Sequence, residues 1–303
     1  MIRRLLNRIG KKLSPDKTNT NIKLNEYSSL ENKSLVEQYA ALRHEAHRIE
    51  KAEYNNLLKN KKSIYDEKVN KVKGIQTLIL KNDPNAEDNP VFRWSQQITS
   101  HYPDIATFIA NNSRASKKIN IENGKRFKQD LINRRSCRVF EKNLDPKIAK
   151  TIFQELIEVA KWAPNSGNRQ AVRLKLITET EEKELLIGIK EKHCYTAPLL
   201  IYIGIDSRLY GALSTTEECM YLDASAAITQ IILYIDKIGL GASWNHFGLD
   251  MINSRNQNIA AYNNFIKKLN IPEYIIPIAI IAIGKPKIIT PTPERMPNSY
   301  FVI

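Results

Sequence analysis

Tyr221-Leu-Asp-Ala-Ser-Ala-Ala-Ile-Thr-Gln-Ile-Ile-Leu-Tyr-Ile-Asp-Lys-Ile238 is a long, largely apolar stretch rich in Ala, Ile and Leu. Its length and residue types predict a helix that runs through the middle of a hydrophobic core. Outward from it, the near-continuous apolar runs 198–206 and 275–284 predict strands that are buried on both faces. A further strand is predicted at 172–178 and a helix at 145–162. The sequence therefore predicts an α+β fold, with a mixed sheet flanked by helices around one long central helix.

The front of the chain has a different pattern. Apolar residues recur every three or four positions from Leu35 to Ile49, which predicts an amphipathic helix, and helical patterns continue to about residue 80 and over 91–112. Polar stretches at 14–33 and 111–124 are interpreted as linkers. We therefore divide the chain into a basic, mainly helical, all-α N-terminal extension, residues 1–125, and an α+β domain, residues 126–303.

The positive charge of the chain is concentrated in this extension. The formal net charge is +14, and residues 1–130 hold 25 Lys and Arg against 15 Asp and Glu. Zinc-finger spacing, RNP-type aromatics and a GxxG loop are all missing there, so nucleic-acid binding is not predicted. Residues 1–13 alternate apolar and basic positions at helical spacing, so peripheral membrane contact is an alternative to a basic tail or a helix docked on the protein itself. The short length of the segment favours a basic tail or a docked helix over membrane contact.

The sequence also predicts a cytoplasmic protein with reduced thiols and no metal. The start, Met1 to Gly10, lacks the long apolar segment of a secretory signal. The three cysteines are too few and too scattered for a disulfide framework or a tetrahedral metal site. His44 and His47 are three residues apart, whereas the helical zinc motif needs histidines four apart with a glutamate between them. A solvated helix face is therefore the favoured interpretation of 43–51.

Two motifs carry donors that suit a phosphorylated heterocycle. Asn133-Arg-Arg-Ser-Cys-Arg-Val-Phe140 places three guanidinium groups and a hydroxyl close together, and forked donors of this kind suit a phosphate monoester. A solvated arginine face is the alternative. Ala163-Pro-Asn-Ser-Gly-Asn-Arg-Gln170 is a turn-forming, amide-rich stretch between a helix and a strand. It can present donors and acceptors to a heterocycle, or it can be a plain polar connection.

Two further motifs follow the central helix. Gly239-Leu-Gly-Ala-Ser-Trp-Asn-His-Phe247 lacks the third glycine of a dinucleotide-binding fingerprint and follows a helix instead of a strand. These departures argue against a Rossmann site. Ile283-Gly-Lys-Pro-Lys287 predicts the exit of a strand and leads to a lone arginine, Arg295.

In this order and spacing the four motifs resemble the nitroreductase family. Its members open with Arg-Arg-Ser-x-Arg-x-Phe, continue with a Pro-Ser-x-Asn-x-Gln loop, pass through Gly-Leu-Gly before a Trp and close with an arginine tail. The resemblance implies an FMN-dependent oxidoreductase and a homodimer paired through the central helix, with FMN in two sites at the subunit interface. It also implies ping-pong hydride transfer from NAD(P)H through flavin N5 to a small organic substrate.

The resemblance also assigns roles by position. Arg134, Ser136 and Arg138 would hold the ribityl chain and phosphate of FMN, Arg295 would add a charge to the same phosphate, and Arg135 would be auxiliary. These five residues form the expected phosphate side of the site.

The expected ring side of the site comes from the other two motifs. Asn168, with Ser166 and Gln170, would reach the isoalloxazine ring, and Asn168 would do so across the dimer. Trp244 and His246 would pass near the flavin edge. The family often has small or acidic residues where this chain has Asn245 and His246.

Two alternatives remain open from the sequence. One keeps the fold and changes the reaction, since relatives also oxidise peptide azolines, remove halogens from phenols or break down flavin. The other is a non-catalytic flavin-fold scaffold or docking protein. His47-Arg-Ile-Glu-Lys51 resembles a stretch before the flavin domain in proteins associated with polysaccharide loci, which makes a link to polysaccharide biosynthesis part of this alternative.

A short interval predicts a role for the extension. Only 207–220 separates the second strand from the central helix, so the flavin face needs another cover. We expect the helices within 34–112 to pack over the α+β domain, with aromatic side chains walling the pocket, namely Tyr54, Phe92, Trp94, Tyr102 and Phe108.

Overall fold

The computed structural model describes residues 30–54, 62–101, 104, 107, 111, 118–211, 217–248 and 258–303. The basic segment 1–13 lies outside these residues, as do Tyr102 and Phe108. Within them, no helix combines the length and the apolar character that crossing a membrane requires.

The N-terminal region is helical, as predicted. Its helices are α1, Leu35–Tyr54, α2, Lys62–Asn82, and α3, Pro90–Ser100. The stripe predicted from the sequence is confirmed, because Leu42, Ala46 and Ile49 are fully buried in a core shared by the three helices. Leu30 packs into the same core, so the linker predicted at 14–33 does not extend to that residue.

Side-chain caps fix where these helices begin. The Glu37 carboxylate accepts hydrogen bonds from the backbone N–H and the hydroxyl of Ser34, at 3.0 and 2.6 Å, which starts α1. Asn89 Oδ1 accepts from Val91 N at 2.9 Å, and Pro90 occupies the first turn of α3. The helix predicted at 91–112 is shorter than expected, because α3 ends at Ser100.

A fourth helix corrects the linker predicted at 111–124. Helix α4 spans Ile121–Asn133, and Asn120 caps it by accepting from Asn123 N at 3.0 Å. The proposed division at 125/126 falls inside this helix. None of its residues is buried, although it carries a stripe of apolar side chains. Helix α5, Pro146–Lys161, follows and matches the prediction to within one residue at each end.

The α+β prediction is confirmed by a four-stranded sheet in the order β1-β2-β4-β3. The strands are β1, Val172–Ile177, β2, Leu199–Asp206, β3, Gly241–His246, and β4, Ile275–Gly284. All neighbours pair antiparallel, and a parallel bridge joins Ser136 to Ala242 at the β3 edge. All eight residues of β2 are buried, as the apolar run predicts.

The predicted central helix is α9, Glu217–Lys237, and it covers one face of the sheet together with α5. Side chains alternate along β2, so Ile201 and Ile203 pack under α9, while Leu200 and Tyr202 face the opposite core. Helix α10, Ile259–Lys268, lines that second core. Three short helices complete the described fold, namely α6, Thr180–Glu184, α7, Lys192–Tyr195, and α8, Arg208–Gly211.

Candidate functional site

The arginine motif runs along the edge of the sheet beside β3. Cys137 N donates to Ala242 O at 2.9 Å, and Ser136 forms the parallel bridge with Ala242. Gly241 allows this approach, since a Cβ there would lie 2.5 Å from Cys137 Cβ. The motif is thus held in place by the sheet and does not hang from a free loop.

The arginines of the motif have different surroundings. Arg135 donates to Ile132 O, to Arg134 O and to Thr292 Oγ1, so its guanidinium joins the end of α4 to the C-terminal tail. Arg138 is exposed. Arg295 lies on the exposed tail that Thr292 brings next to Arg135.

Arg138 lines a polar cavity of about 280 Å³. Trp244 and His246, from β3, line the same cavity, so the structure brings these three predicted residues together. Two further residues that the sequence motifs did not indicate line the cavity, the ammonium-bearing Lys190 and the imidazole-bearing His193. Neither belongs to a recognisable motif, and only the fold places them opposite β3.

Lys190 and His193 are held in fixed positions. Lys190 is buried and its ammonium donates to His246 O, 5.5 Å from the centre of the Phe247 ring. His193 Nε2 lies 2.8 Å from Asn245 Oδ1. Positive charge and hydrogen-bond donors therefore converge on one small cavity at the β3 edge.

The same region holds a group with metal-ligand chemistry. In the described part of the chain, ligand atoms of Glu191, His193 and Cys194 lie within 4.8 Å of one another. Burial, followed by the charge of Glu191, raises the pKa of the Cys194 thiol to about 12, and Asn245 already engages His193. His193 and Cys194 thus belong to a hydrogen-bonded cluster with Asn245.

The amide-rich motif forms a tight loop between α5 and β1. Gly167, Asn168 and Gln170 have φ of 61°, 52° and 51°, a left-handed conformation that is uncommon for the two non-glycine residues. Asn165 Oδ1 accepts from Gln170 N at 3.1 Å, and Gln170 Nε2 donates to Asn168 Oδ1 at 3.0 Å. The loop is therefore closed by its own amides.

Two neighbours anchor this loop. Asp223 of α9 accepts from Ser166 N at 2.8 Å and from the Tyr210 hydroxyl at 2.6 Å. From α1, Arg43 Nε donates to Asn168 O at 2.7 Å, and the same guanidinium donates to Arg169 O. His44 Nδ1 lies 3.4 Å from Gly167 O.

These contacts correct the interpretation of 43–51 as a solvated helix face. His44 and Arg43 pack on the loop, and burial lowers the pKa of both side chains, that of Arg43 to about 10 with Arg173 as a second cause. His47 instead faces Glu50 at 3.3 Å. The sequence pattern of α1 could not indicate these contacts, because their acceptors are backbone carbonyls of the amide loop.

Gly167→Ala is expected to destabilise the protein by about 2–3 kcal/mol, because it combines a positive φ with overlap onto the half-buried ring of His44. Gly188→Ala is the matched control, since Gly188 has φ of 81° but nothing lies near its Cβ position. It should lose only about 1 kcal/mol. The free energy of unfolding from urea titrations measures both.

The overlap itself is tested with His44→Ala. Adding this substitution to Gly167→Ala should recover part of the loss, whereas adding it to Gly188→Ala should not. Equal losses for the two glycine variants, with no recovery, would show that α1 does not press on the loop.

The two sets of candidate residues lie at opposite ends of α9. Asp223, near its start, holds the amide loop, whereas Lys237, at its end, pairs with Asp130 of α4 at 2.7 Å. Residues 223 and 237 of one helix are separated by about 20 Å at 1.5 Å per residue. The amide loop leads into β1 and Arg138 lies beside β3, at the two opposite edges of the four-stranded sheet, so a single chain keeps Asn168 away from Arg138.

Comparison with known proteins gave a family match over part of the chain. Residues 131–192 match the model of the Nitroreductase family, so the resemblance seen in the sequence is confirmed over that segment. The segment contains both the arginine motif and the amide-rich loop. A comparison with proteins of curated function gave no match.

Solved structures with a similar fold carry related names. A candidate NADH dehydrogenase/NAD(P)H nitroreductase of Parabacteroides distasonis is 20% identical, with 59% of this chain and 96% of that chain covered and a TM-score of 0.48. A nitroreductase family protein of Clostridium difficile 630 is 24% identical, with 58% and 95% covered and a TM-score of 0.46. An FMN-dependent nitroreductase of Clostridium difficile R20291 is 21% identical, with 55% and 90% covered and a TM-score of 0.44.

Proposed function

We propose that the protein is an FMN-dependent oxidoreductase that takes hydride from NAD(P)H and delivers it to a small organic acceptor. The observation that supports it best is the convergence of Arg138 with Lys190 and His193 on the cavity beside β3, which Glu191 also lines. The match of residues 131–192 to the Nitroreductase family adds to it. FMN would supply the redox chemistry, and the chain would bind and orient it.

The donors at the β3 edge fit the two ends of an FMN molecule. Arg134, Ser136 and Arg138, with Arg295 on the tail, supply charged and neutral donors for a terminal phosphate. Lys190 and His193 would stabilise negative charge on the pyrimidine edge of the ring, where preorganised donors have their largest effect. This part of the chain therefore offers a phosphate site and a ring site side by side.

We also propose a homodimer, because one chain cannot complete this site. Pairing two copies of α9 antiparallel about a two-fold axis would bring the amide loop of one chain to the arginine motif of the other. A strip of small and apolar residues on the outer face of α9 suits such pairing, namely Leu222, Ala226, Thr229 and Leu233. Leu222 is 67% exposed in the single chain.

Further apolar surface extends from this strip. Helix α4 and the tail both carry large side chains that a single chain leaves in water, among them Phe127, Leu131, Ile289 and Phe301. Exposed apolar surface on this scale is typical of an interaction site. The arginine motif lies between α4 and the tail, so the same contact would cover the phosphate site.

Leu222→Glu is expected to convert a dimer into a monomer and to lower the flavin content with it, because a charge would be placed in the α9 contact. Light scattering after size exclusion, together with flavin absorbance, measures both. Ile148→Glu is the control, since Ile148 is also exposed but belongs to α5 and not to the α9 strip. A wild-type monomer that holds stoichiometric FMN would contradict the proposal.

The cover expected from the extension is partly supported. Helix α1 contacts the amide loop directly, but Phe92 is fully buried and Trp94 packs against the same helical core, so neither walls a pocket. Val36 and Tyr39 of α1 line the cavity between the extension and the α+β domain, and Tyr39 also belongs to the helical core. We propose that α1 acts as the cover through these residues.

The alternative of a scaffold without catalysis is separated by a spectroscopic test. Purified protein should show the visible absorbance of FMN, and NADH or NADPH should bleach it under anaerobic conditions. Bound FMN that neither nucleotide reduces would favour the scaffold. Protein without flavin, even after incubation with FMN, would overturn the proposed function.

A further inference from the structure

A second cavity lies where the extension meets the α+β domain. Its volume is about 480 Å³, within the usual range for small-molecule sites. Helix α1 forms one wall with Val36, Tyr39 and Arg43, and α5 and β1 form the other. It opens beside the amide loop, since Asn165 and Gln170 also line it.

The charges around this cavity are unbalanced. Its described lining includes the cations Arg43, Lys161 and Arg173 but a single carboxylate, Asp223. Lys161 is paired with Glu158 at 2.6 Å, so the two arginines carry the excess. Both Asp223 oxygens already accept hydrogen bonds, from Ser166 N and the Tyr210 hydroxyl. The carboxylate keeps its charge, but both of its oxygens are oriented toward the loop and Tyr210.

The two guanidinium groups are weakly compensated. Within the described residues no carboxylate pairs with Arg43, whose donors go to the backbone carbonyls of Asn168 and Arg169. Arg173 reaches Asp206 only at 3.4 Å, because Arg208 holds that carboxylate at 2.7 and 2.9 Å. Arg43 and Arg173 are close enough for the charge of Arg173 to lower the pKa of Arg43. A bound anion would relieve this repulsion.

The remaining walls are apolar. Ile157, Ala160, Val172 and Leu174 line the cavity from α5 and β1. A ligand that fits has one anionic end for the forked donors and a hydrocarbon body for these walls.

We propose that this cavity binds an organic carboxylate with an apolar body, held by Arg173 and Arg43. The ligand would contact the loop that the proposed function assigns to the flavin. The site itself rests on the cavity and its charges, so it stands or falls independently of FMN.

Calorimetric titration of the full-length protein tests it with 3-phenylpropionate and its neutral analogue 3-phenylpropanamide. The carboxylate should bind at least about tenfold more tightly, the scale of one charge-assisted contact. Arg173→Met should remove that preference, because it removes a guanidinium that would bind the carboxylate. The variant should keep its fold, because Arg208 still holds Asp206. Lys175→Met, the neighbouring cation of β1 that does not line the cavity, should leave the preference unchanged.

A second variant locates the ligand. Ile157→Trp fills the cavity from α5 and should weaken binding of both compounds while every cation remains. Equal affinities for the two compounds, equal losses in Arg173→Met and Lys175→Met, or unaltered binding in Ile157→Trp would each overturn the proposal. A change in flavin reduction without a change in these titrations would concern the proposed function and not this site.

Discussion

Replacing Arg134 and Arg138 together with alanine is expected to give protein that purifies without FMN. Each charged hydrogen bond to a phosphate contributes about 1.5–3 kcal/mol, so the pair should weaken binding by roughly 3–6 kcal/mol. Arg138 lines the cavity beside β3. Without Arg138, Lys190 is the remaining lysine or arginine in the described lining of that cavity. Quenching of FMN fluorescence on titration measures the change.

Arg93→Ala is the matched control for this loss. Arg93 is an exposed arginine of α3 that contacts Glu87 O, far from β3 in the fold, and its removal should leave FMN binding unchanged. We expect FMN and not FAD to bind, because the sequence carries no adenine-binding module beside the phosphate donors. Full flavin retention in the double variant would refute the assignment.

Asp223→Ala is expected to lower the free energy of unfolding by about 2–4 kcal/mol. Asp223 is 6% exposed and accepts from two donors, Ser166 N and the Tyr210 hydroxyl, which would both be left without this acceptor. Each buried donor that loses its partner costs about 1–3 kcal/mol. Urea unfolding measures the loss.

Tyr210→Phe separates the two halves of this anchor. It removes one donor and keeps the bond to Ser166 N, so it should cost about 1 kcal/mol and leave the loop in place. Asp223→Ala should also release the loop and raise the KM of the oxidising substrate, whereas Tyr210→Phe should not. Equal stability and equal KM in the two variants would show that Asp223 does not anchor the loop.

The spacing of apolar residues predicted most of the helices and strands, because burying one face of an element imposes that spacing on neighbouring residues. The run 275–284 coincides with β4, and the stripe through Leu42 and Ile49 matches the helical core. Strand β3 was missed because Gly239 to Gly241 resembles a turn. Its strand conformation depends on pairing with β4, which is distant in the chain. Helix α4 was not predicted, because the polar residues before Gly124 resemble a linker, and among the described residues none of the helix is buried.

The site was predictable only where donors are adjacent in sequence. The arginine motif and the amide loop each carry their signal within eight residues, so the sequence indicated both. Lys190 and Arg43 carry no such signal, since their acceptors are backbone carbonyls of His246, Asn168 and Arg169. Backbone acceptors are present at every position, so sequence patterns cannot mark them.

The contact of Arg43 with the amide loop also affects the order in which parts of the chain fold. Arg43 and Asn168 are 125 residues apart, and the bridge between Ser136 and Ala242 spans a similarly long stretch. Closing loops of this length carries an entropic cost that local helix pairing within α1, α2 and α3 avoids. We therefore expect the helical core to condense early and both anchors to form last. A nascent chain still lacking β4 would have no docked arginine motif, so we expect the proposed FMN to bind only after β4 has been synthesised.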